Sequence, residues 1–434
     1  MRQRYQFTQL GKFAGKFAII TLTGIAVVLT SWFISIAYSI PASSTPVQQQ
    51  AALFDQVWQT INDSFYDANF NGVDWPAMRE RYKPMISQAQ SREAIAHGIN
   101  QMLSELKTSH THFYTADEPA YYQLLGIFAP NNTDLLAQLK DTFPEGKIAY
   151  SGIGILTEEM EGKTFIKAIL EGSPAAIAQL QVGDEILSVE GQPFHPLRSF
   201  VGQANHPLTL EVQRSPEVQQ QIQVTPKQFD ATQMFFDAQS ASVQVIERNN
   251  QKIGYIHIWS CGSEQYQQIL ENELFYGRLK DADALILDLR DGWGGTPATF
   301  LNLYTGRTPS ITSVFRNGKR YTHDADWKKP VVMLVNEGSR SAKEILAYGF
   351  QRYGIGKVVG SKTVGAVVAG RPFLMQDHSL LYVAYADVYV DGNTRLEGIG
   401  ITPDVIVPFQ LEYAQGKDPQ KERAIALAIE EIGQ

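Results

Sequence analysis

The sequence of 434 residues predicts a multidomain α/β protein with an apolar helix at its N-terminus. Three observations lead there. Residues 17–40, FAIITLTGIAVVLTSWFISIAYSI, carry no charge. Residues 147–224 break into short strand-length runs separated by polar turns. From residue 253 onward, buried-strand patterns alternate with helical ones, most clearly where VVMLV at 331–335 is followed by a helix-period stretch.

Composition narrows the classes. With 44% hydrophobic and 19% charged residues this is an ordinary globular protein. A net charge of −8 and no long basic run argue against a nucleic-acid partner. The single cysteine, Cys261, permits no intramolecular disulfide and no cysteine metal cluster, and suits an exported protein. Neither a metal nor a cofactor is expected.

The apolar segment is about 36 Å long as a helix at roughly 1.5 Å per residue, enough to cross a bilayer core of about 30 Å. Arg2, Arg4, Lys12 and Lys16 precede it and should keep residues 1–16 in the cytoplasm, sending the remainder outside. The segment is therefore expected to be a single-pass anchor, or alternatively a signal removed on secretion, with a periplasmic or extracellular body. Residues 41–50 read as a polar linker.

Residues 51–145 read as a small helical segment and connector. Leu53, Val57, Trp58 and Ile61 fall on one face, residues 66–78 and 95–106 continue the helical pattern, and residues 116–144 connect. Between them KTSHTHF at 107–113 is too β-branched and irregular to extend the helix. Residues 146–226 form the small β domain. Strands are expected over 147–156, 164–169, 208–213 and 220–224, with a polar turn at 158–163 and a helix start at GSPAA, 172–176. The motifs GIGI at 152–155 and GSPAAIAQLQVGDEILSVEGQPF at 172–194, in this order before the closing strands, resemble a PDZ domain. That resemblance implies recognition of polypeptide C-termini by strand addition, with Gly152, Ile153, Gly154 and Ile155 as the peptide-carboxylate loop. A PDZ fold that only braces its neighbours is the bland reading.

Residues 227–434 form the α/β core, with a C-terminal helix expected over 419–432. Val331 to Val335 read as a buried strand, and SAKE at 341–344 opens a helix that ends before Gly354. Ser341 thus lies at a helix N-terminus, where free N–H groups gather. It is either an N-cap or a nucleophile whose oxyanion those groups receive.

Three separated pieces, ALILDLRDGWGG (284–295), VNEGSRSAKEI (335–345) and RLEGIGITPDV (395–405), follow the PDZ-like block. Together they resemble the carboxyl-terminal-processing and tricorn-core serine proteases, over roughly residues 56–407. The resemblance implies a serine endopeptidase with Ser341 as nucleophile and an oxyanion hole formed by Ala342 and by Gly294 or Gly295. The general-base lysine of the Ser-Lys branch falls in register on Ala366, and its partner glutamine on Gly370, so that dyad is missing. The tricorn-like branch instead implies His110 as general base, with Ser109 and Glu397 orienting it. Polypeptides, chiefly C-terminal tails of exported proteins, are the implied substrates.

Rival readings remain at this stage. A catalytically silent peptide-binding scaffold is one, and a relocated base among Lys343, Lys357 and Lys362 is another. Asp288 and Arg290 are expected to form a structural ion pair. His110 and His112 with no suitably spaced third ligand do not predict zinc.

Overall fold

A computed structural model describes residues 46–433 except 296–298, 307–310 and 324–325. The segment 17–40 expected to span a membrane lies outside these residues, and no described helix is long and apolar enough to cross one.

Three helices open the described region, α1 (Pro46–Ser64), α2 (Trp75–Ser87) and α3 (Arg92–Ser104). The expected linker is shorter than its polarity suggested, because Pro46 to Gln50 already belong to α1. Proline is well placed in a helix's first turn, where its missing N–H has no partner to lose. The helical pattern read over 66–78 starts only at Trp75, where Asp74 caps α2 by accepting from the Ala77 N–H at 3.1 Å. Ser91 caps α3 in the same way through Ala94. Phe54, Val57, Ile61, Trp75, Ile99 and Met102 of the three helices meet in one buried cluster.

After α3 the backbone turns through Lys107 and His110, both at positive φ (50° and 55°), into the short strand β1 (His112–Tyr114). The stretch read as a connector holds two further helices, α4 (Pro119–Phe128) and α5 (Thr133–Gln138).

The β domain comprises β2 (Ala149–Gly152), β3 (Ile155–Met160), β4 (Lys163–Ile169), the single-turn α6 (Pro174–Ile177), β5 (Glu185–Val189), β6 (Leu208–Ser215) and β7 (Val218–Val224). The expected polar turn at 158–163 contracts to Glu161–Gly162, whose φ values of 51° and 78° make a tight hairpin. The sheet order is β3-β4-β5-β6-β7, which leaves one edge of β3 open. Next, β8 (Lys227–Asp230) pairs back with β2.

The core follows with α7 (Met234–Ser242), β9 (Gln244–Arg248), β10 (Gln251–His257), α8 (Glu264–Phe275), β11 (Ala284–Asp288), the hairpin β12 (Ile311–Val314) and β13 (Arg320–His323), β14 (Val331–Val335) and α9 (Ala342–Arg352). It ends with β15 (Lys357–Gly360), β16 (Ala369–Leu374), β17 (Leu380–Ala386), the hairpin β18 (Tyr389–Val390) and β19 (Thr394–Arg395), β20 (Val405–Ile406) and α10 (Pro419–Ile432). A six-stranded sheet, ordered β20-β15-β14-β11-β10-β9, is parallel except for β9. Val331, Met333 and Val335 face the cluster that includes Leu346, Ala347 and Phe350 of α9, while Val332 and Leu334 face Ala424, Ile425 and Ala428 of α10. Helices cover both faces, so β14 is apolar without alternation.

A separate antiparallel sheet, β1-β17-β16, joins early and late parts of the sequence. His112, Phe113 and Tyr114 pair with Tyr382, Leu381 and Leu380. Leu381, Val383 and Ala384 complete the buried cluster of α1–α3. The helical segment and this late strand therefore share one core, which carries His110 to the C-terminal edge of the large sheet.

Candidate active site

The site grows from two loops that leave adjacent parallel strands in the same direction. Asp288 at the end of β11 lies opposite Leu334 of β14, so the loop 289–295 and the turn 336–341 emerge side by side. Their bases are sewn together. Leu289 N–H donates to Leu334 O at 2.9 Å, Asp291 N–H to Asn336 Oδ1 at 3.1 Å, and Ser339 Oγ to Leu289 O at 2.8 Å. Asp288 and Arg290 pair at 2.6 Å, and Arg290 also holds Asp418 at 2.7 Å. The Asp288 carboxyl is fully buried, and Arg290 holds it well below the usual carboxylate range against the opposing effect of burial. This pair anchors the loop and does not enter the cavity.

Ser341 stands directly before α9 at φ 58°, ψ −123°. A positive φ at a residue with a Cβ stores strain and persists only where the surroundings fix it. Two acceptors fix this one, since the Ser341 N–H meets Ala366 O at 2.8 Å and Glu344 Oε2 at 3.2 Å. Ala342 is the first residue of α9, so its N–H is among the first-turn donors with no partner within the helix. Gly294 packs against this point. A Cβ there would lie 2.4 Å from Ser341 Cβ, 2.8 Å from its Oγ and 3.0 Å from Ala342 N. Only glycine lets the 289–295 loop approach the serine this closely.

The adjacent residues Ser109 and His110 are hydrogen-bonded in line with Glu397, which lies 288 residues beyond Ser109 in the sequence. His110 Nδ1 lies 2.8 Å from Ser109 Oγ, and Ser109 Oγ donates to Glu397 Oε2 at 2.8 Å. The hydroxyl's one proton is given to the carboxylate, so the imidazole must be the donor in the first bond. His110 is therefore protonated on Nδ1, and Nε2 keeps its lone pair. Burial chiefly, with the positive charge of Arg340 adding, pushes the imidazole down to about 3. The ring also rests on Tyr382, with centroids 5.5 Å apart.

One segment ties this line to the serine. Residues 365–368 are strung between two carboxylates. Gly365 and Ala366 N–H groups donate to Glu344, both at 2.7 Å, and Val367 and Val368 N–H groups donate to Glu397 Oε2 at 2.6 and 3.2 Å. Ser109 N–H also reaches Glu397 Oε1 at 2.8 Å, and Thr363 Oγ1 reaches Glu344 Oε1 at 2.6 Å. Burial pushes the Glu344 carboxyl up, against the lowering effect of these donors. Ala366, the position expected in register for the lysine of the Ser-Lys branch, thus spends its amide and carbonyl on positioning. Sequence reading missed this clamp, because nothing local to SAKE at 341–344 shows which backbone N–H groups from 365–366 the fold brings to Glu344.

His110, Gly294, Gly295 and Ser341 line one cavity of about 620 Å³, together with Arg340 and Trp293. The lysines considered as substitute bases are elsewhere. Lys343 is fully buried and donates to Trp259 O at 3.3 Å and Asp291 O at 2.5 Å, and burial pushes its amine down to about 8. Lys357 and Lys362 are exposed, and neither lines the cavity.

The four residues of the expected PDZ loop join β2 to β3. Ile153 is buried and Gly154 is at φ 82°, packed against Ser173. Ile153, Gly154 and Ile155, but not Gly152, line a second cavity of about 250 Å³ together with Phe200 and Trp293. Trp293 therefore forms a wall of both cavities, held by its Nε1–H donating to Gln123 Oε1 at 2.8 Å.

Comparison with known proteins agrees with this layout. Residues 252–407 match peptidase family S41, residues 46–104 the tricorn protease C1 domain and residues 145–209 the PDZ domain. The carboxyl-terminal-processing protease of Synechocystis sp. is 26% identical over 399 residues, covering 89% of this chain and 88% of that protein. Tricorn protease homolog 1 of Streptomyces coelicolor is 26% identical over 400 residues, covering 88% of this chain and 35% of that much longer protein. Among solved structures, the tricorn protease superposes with a TM-score of 0.54 at 17% identity over 90% of this chain and 37% of that one. Mature CPAF complexed with lactacystin does so at 0.50 and 11% identity, over 90% of this chain and all of that one (100%). At such identities the superpositions show the shared fold.

Proposed function

We propose, from the premise that this protein is a serine peptidase of the S41 and tricorn-core kind, that Ser341 and His110 cut peptide bonds through an acyl-enzyme. The observation that carries the reading is the line Glu397–Ser109–His110, which ends in the cavity that holds Ser341. Serine is a weak nucleophile unless an adjacent base takes its proton. His110 Nε2, kept unprotonated by the Nδ1–H bond to Ser109, is that base.

The steps follow. Ser341 Oγ attacks the scissile carbonyl carbon as its proton passes to His110 Nε2. The carbonyl oxygen becomes an oxyanion and is received by the Ala342 N–H and by the Gly294 or Gly295 N–H. The C–N bond breaks as the imidazolium returns its proton to the leaving amine, leaving an ester on Ser341. Water, deprotonated by His110, then hydrolyses the ester and restores both groups. Glu397 stabilises the transient imidazolium through the Ser109 hydroxyl.

The substrates we infer are C-terminal tails of exported proteins. The open edge of β3 beside the Gly152–Ile155 loop supports this, since an extended peptide added there ends at a glycine turn. Residues 17–40 anchor the protein in the cell membrane with its body outside the cytoplasm. The uncharged stretch behind four basic residues supports that placement. Carbonate washing of isolated membranes tests the anchor: retention in the pellet is expected, and release would contradict it.

Hydrolysis of unfolded casein by full-length protein tests the chemistry. Ser341→Ala is expected to lower kcat by at least about 10³-fold, as removing a triad member does. Undiminished cleavage by that variant would exclude Ser341 as nucleophile.

A further inference from the structure

The cavity around Ser341 is cationic in an acidic protein. Arg340 and Arg371 line it, and no carboxylate does so among its described lining residues, although the protein as a whole has a net charge of −8. The two carboxylates that hold the site's backbone are committed elsewhere. Glu397 serves Ser109, Val367 and Val368, and Glu344 serves Thr363, Gly365 and Ala366. Arg371 is exposed and lies over the Phe373 ring at 5.2 Å. Arg340 is half-buried, one residue from the nucleophile, with its guanidinium 5.1 Å from the centroid of the Trp293 ring. An arginine on an aromatic face is held in place and partly desolvated, yet its planar donors stay open to a carboxylate.

We propose that Arg340 selects substrates that bring a carboxylate into the cleft close to the bond being cut. This rests on the reading of Ser341 as nucleophile. The carboxylate is either an Asp or Glu side chain or the free C-terminus of a short tail, and the recognition chemistry is the same for both. A fork of guanidinium N–H groups matches two carboxylate oxygens, and the charge-assisted pair is strong where water is partly excluded. The same contact bears on the base. Around His110 stand Ser109 with Glu397 behind it, the Tyr382 ring, and Arg340, whose positive charge disfavours the imidazolium. A carboxylate seated on Arg340 cancels that charge, so the acidic substrate itself raises the basicity of His110 as it binds.

The test uses full-length protein and internally quenched peptides built around a casein bond whose cleavage has been located by mass spectrometry. One set walks Glu against Gln through the four positions on each side of that bond. The other truncates the peptide so that its end, as free acid or amide, falls at each position beyond the bond. Wild type is expected to favour the carboxylate by about tenfold to a hundredfold in kcat/KM at one position. A preference for Glu assigns the side chain, and a preference for acid over amide assigns the peptide's end. Arg340→Gln is expected to bring the ratio near one and to move the acid limb of the kcat/KM profile to higher pH, because a cation that disfavours imidazolium has gone. Arg340→Lys keeps the charge without the fork, so a reduced ratio of the same sign is expected even if Arg340→Gln fails to fold. A wild type without preference, or a ratio unchanged in either variant, overturns the proposal. Fluorophosphonate labelling of wild type separates the two readings. A labelled enzyme without preference contradicts only the role of Arg340, whereas an enzyme neither labelled nor active contradicts the nucleophile as well.

Discussion

At the scale of single residues, Ser341 and His110 both sit at positive φ, 58° and 55°, and each is held there by bonds to carboxylate-anchored partners. The direction of proton donation through Ser109 fixes the imidazole tautomer, and burial keeps it neutral. A base depressed to about 3 is in its working form at every pH above that, so its protonation limits activity only in strong acid. The acid limb of kcat/KM is therefore expected well below 6.5, the ordinary histidine value, and a limb centred near 6.5 would contradict the burial. Ser109→Ala removes the acceptor for Nδ1–H and is expected to lower kcat by about 10²–10⁴-fold, the usual worth of general acid–base catalysis. Gly294→Ala drives a methyl group to within 2.4 Å of Ser341 Cβ. Moving the oxyanion donors in this way is expected to lower kcat by about 10²-fold or more, read against an unchanged far-ultraviolet circular dichroism spectrum. Ser341, His110 and Glu397 could be named from motifs in the sequence. Arg340 and the Glu344 clamp could not, because their roles depend on which backbone groups the fold brings to them.

At the scale of elements, the strand-helix pair β14–α9 was legible to within a residue. Five apolar residues bounded by a polar turn, then a 3.6-residue period, leave little choice. Helix α10 was equally plain, with proline at its start and one apolar stripe. Helix α4 was missed because Tyr121, Leu124, Leu125 and Gly126 bury several sides at once, and a helix covered all round shows no amphipathic period. The β1–β17 pairing was illegible for a different reason, since it joins positions some 270 residues apart. It matters most for the site, as it carries His110. Leu381 of β17 is fully buried in the cluster of α1–α3. Leu381→Ala is expected to cost about 2–5 kcal/mol in denaturant unfolding. It should also depress kcat in the folded protein by loosening the strand that positions the base. A variant less stable but equally active would show that β1 is held by other means.

At the scale of the whole molecule, the proposed base His110 enters from the helical N-terminal segment, the proposed nucleophile Ser341 and the Gly294–Gly295 loop from the C-terminal ends of the central strands β14 and β11, and Glu397 from the loop after β19. The PDZ domain shares the Trp293 wall with the cavity around Ser341. Nothing local in the sequence gives this convergence; it follows from one mixed sheet and one small antiparallel sheet meeting at residues 365–368. The central claim is that a histidine, and no lysine, activates Ser341. The rate of fluorophosphonate labelling, followed by intact mass on full-length wild type, Ser341→Ala and His110→Ala, tests it most directly. A single adduct on wild type, absent in Ser341→Ala and formed at least about 10²-fold more slowly in His110→Ala, is the expected result. Labelling of His110→Ala at the wild-type rate would contradict the claim.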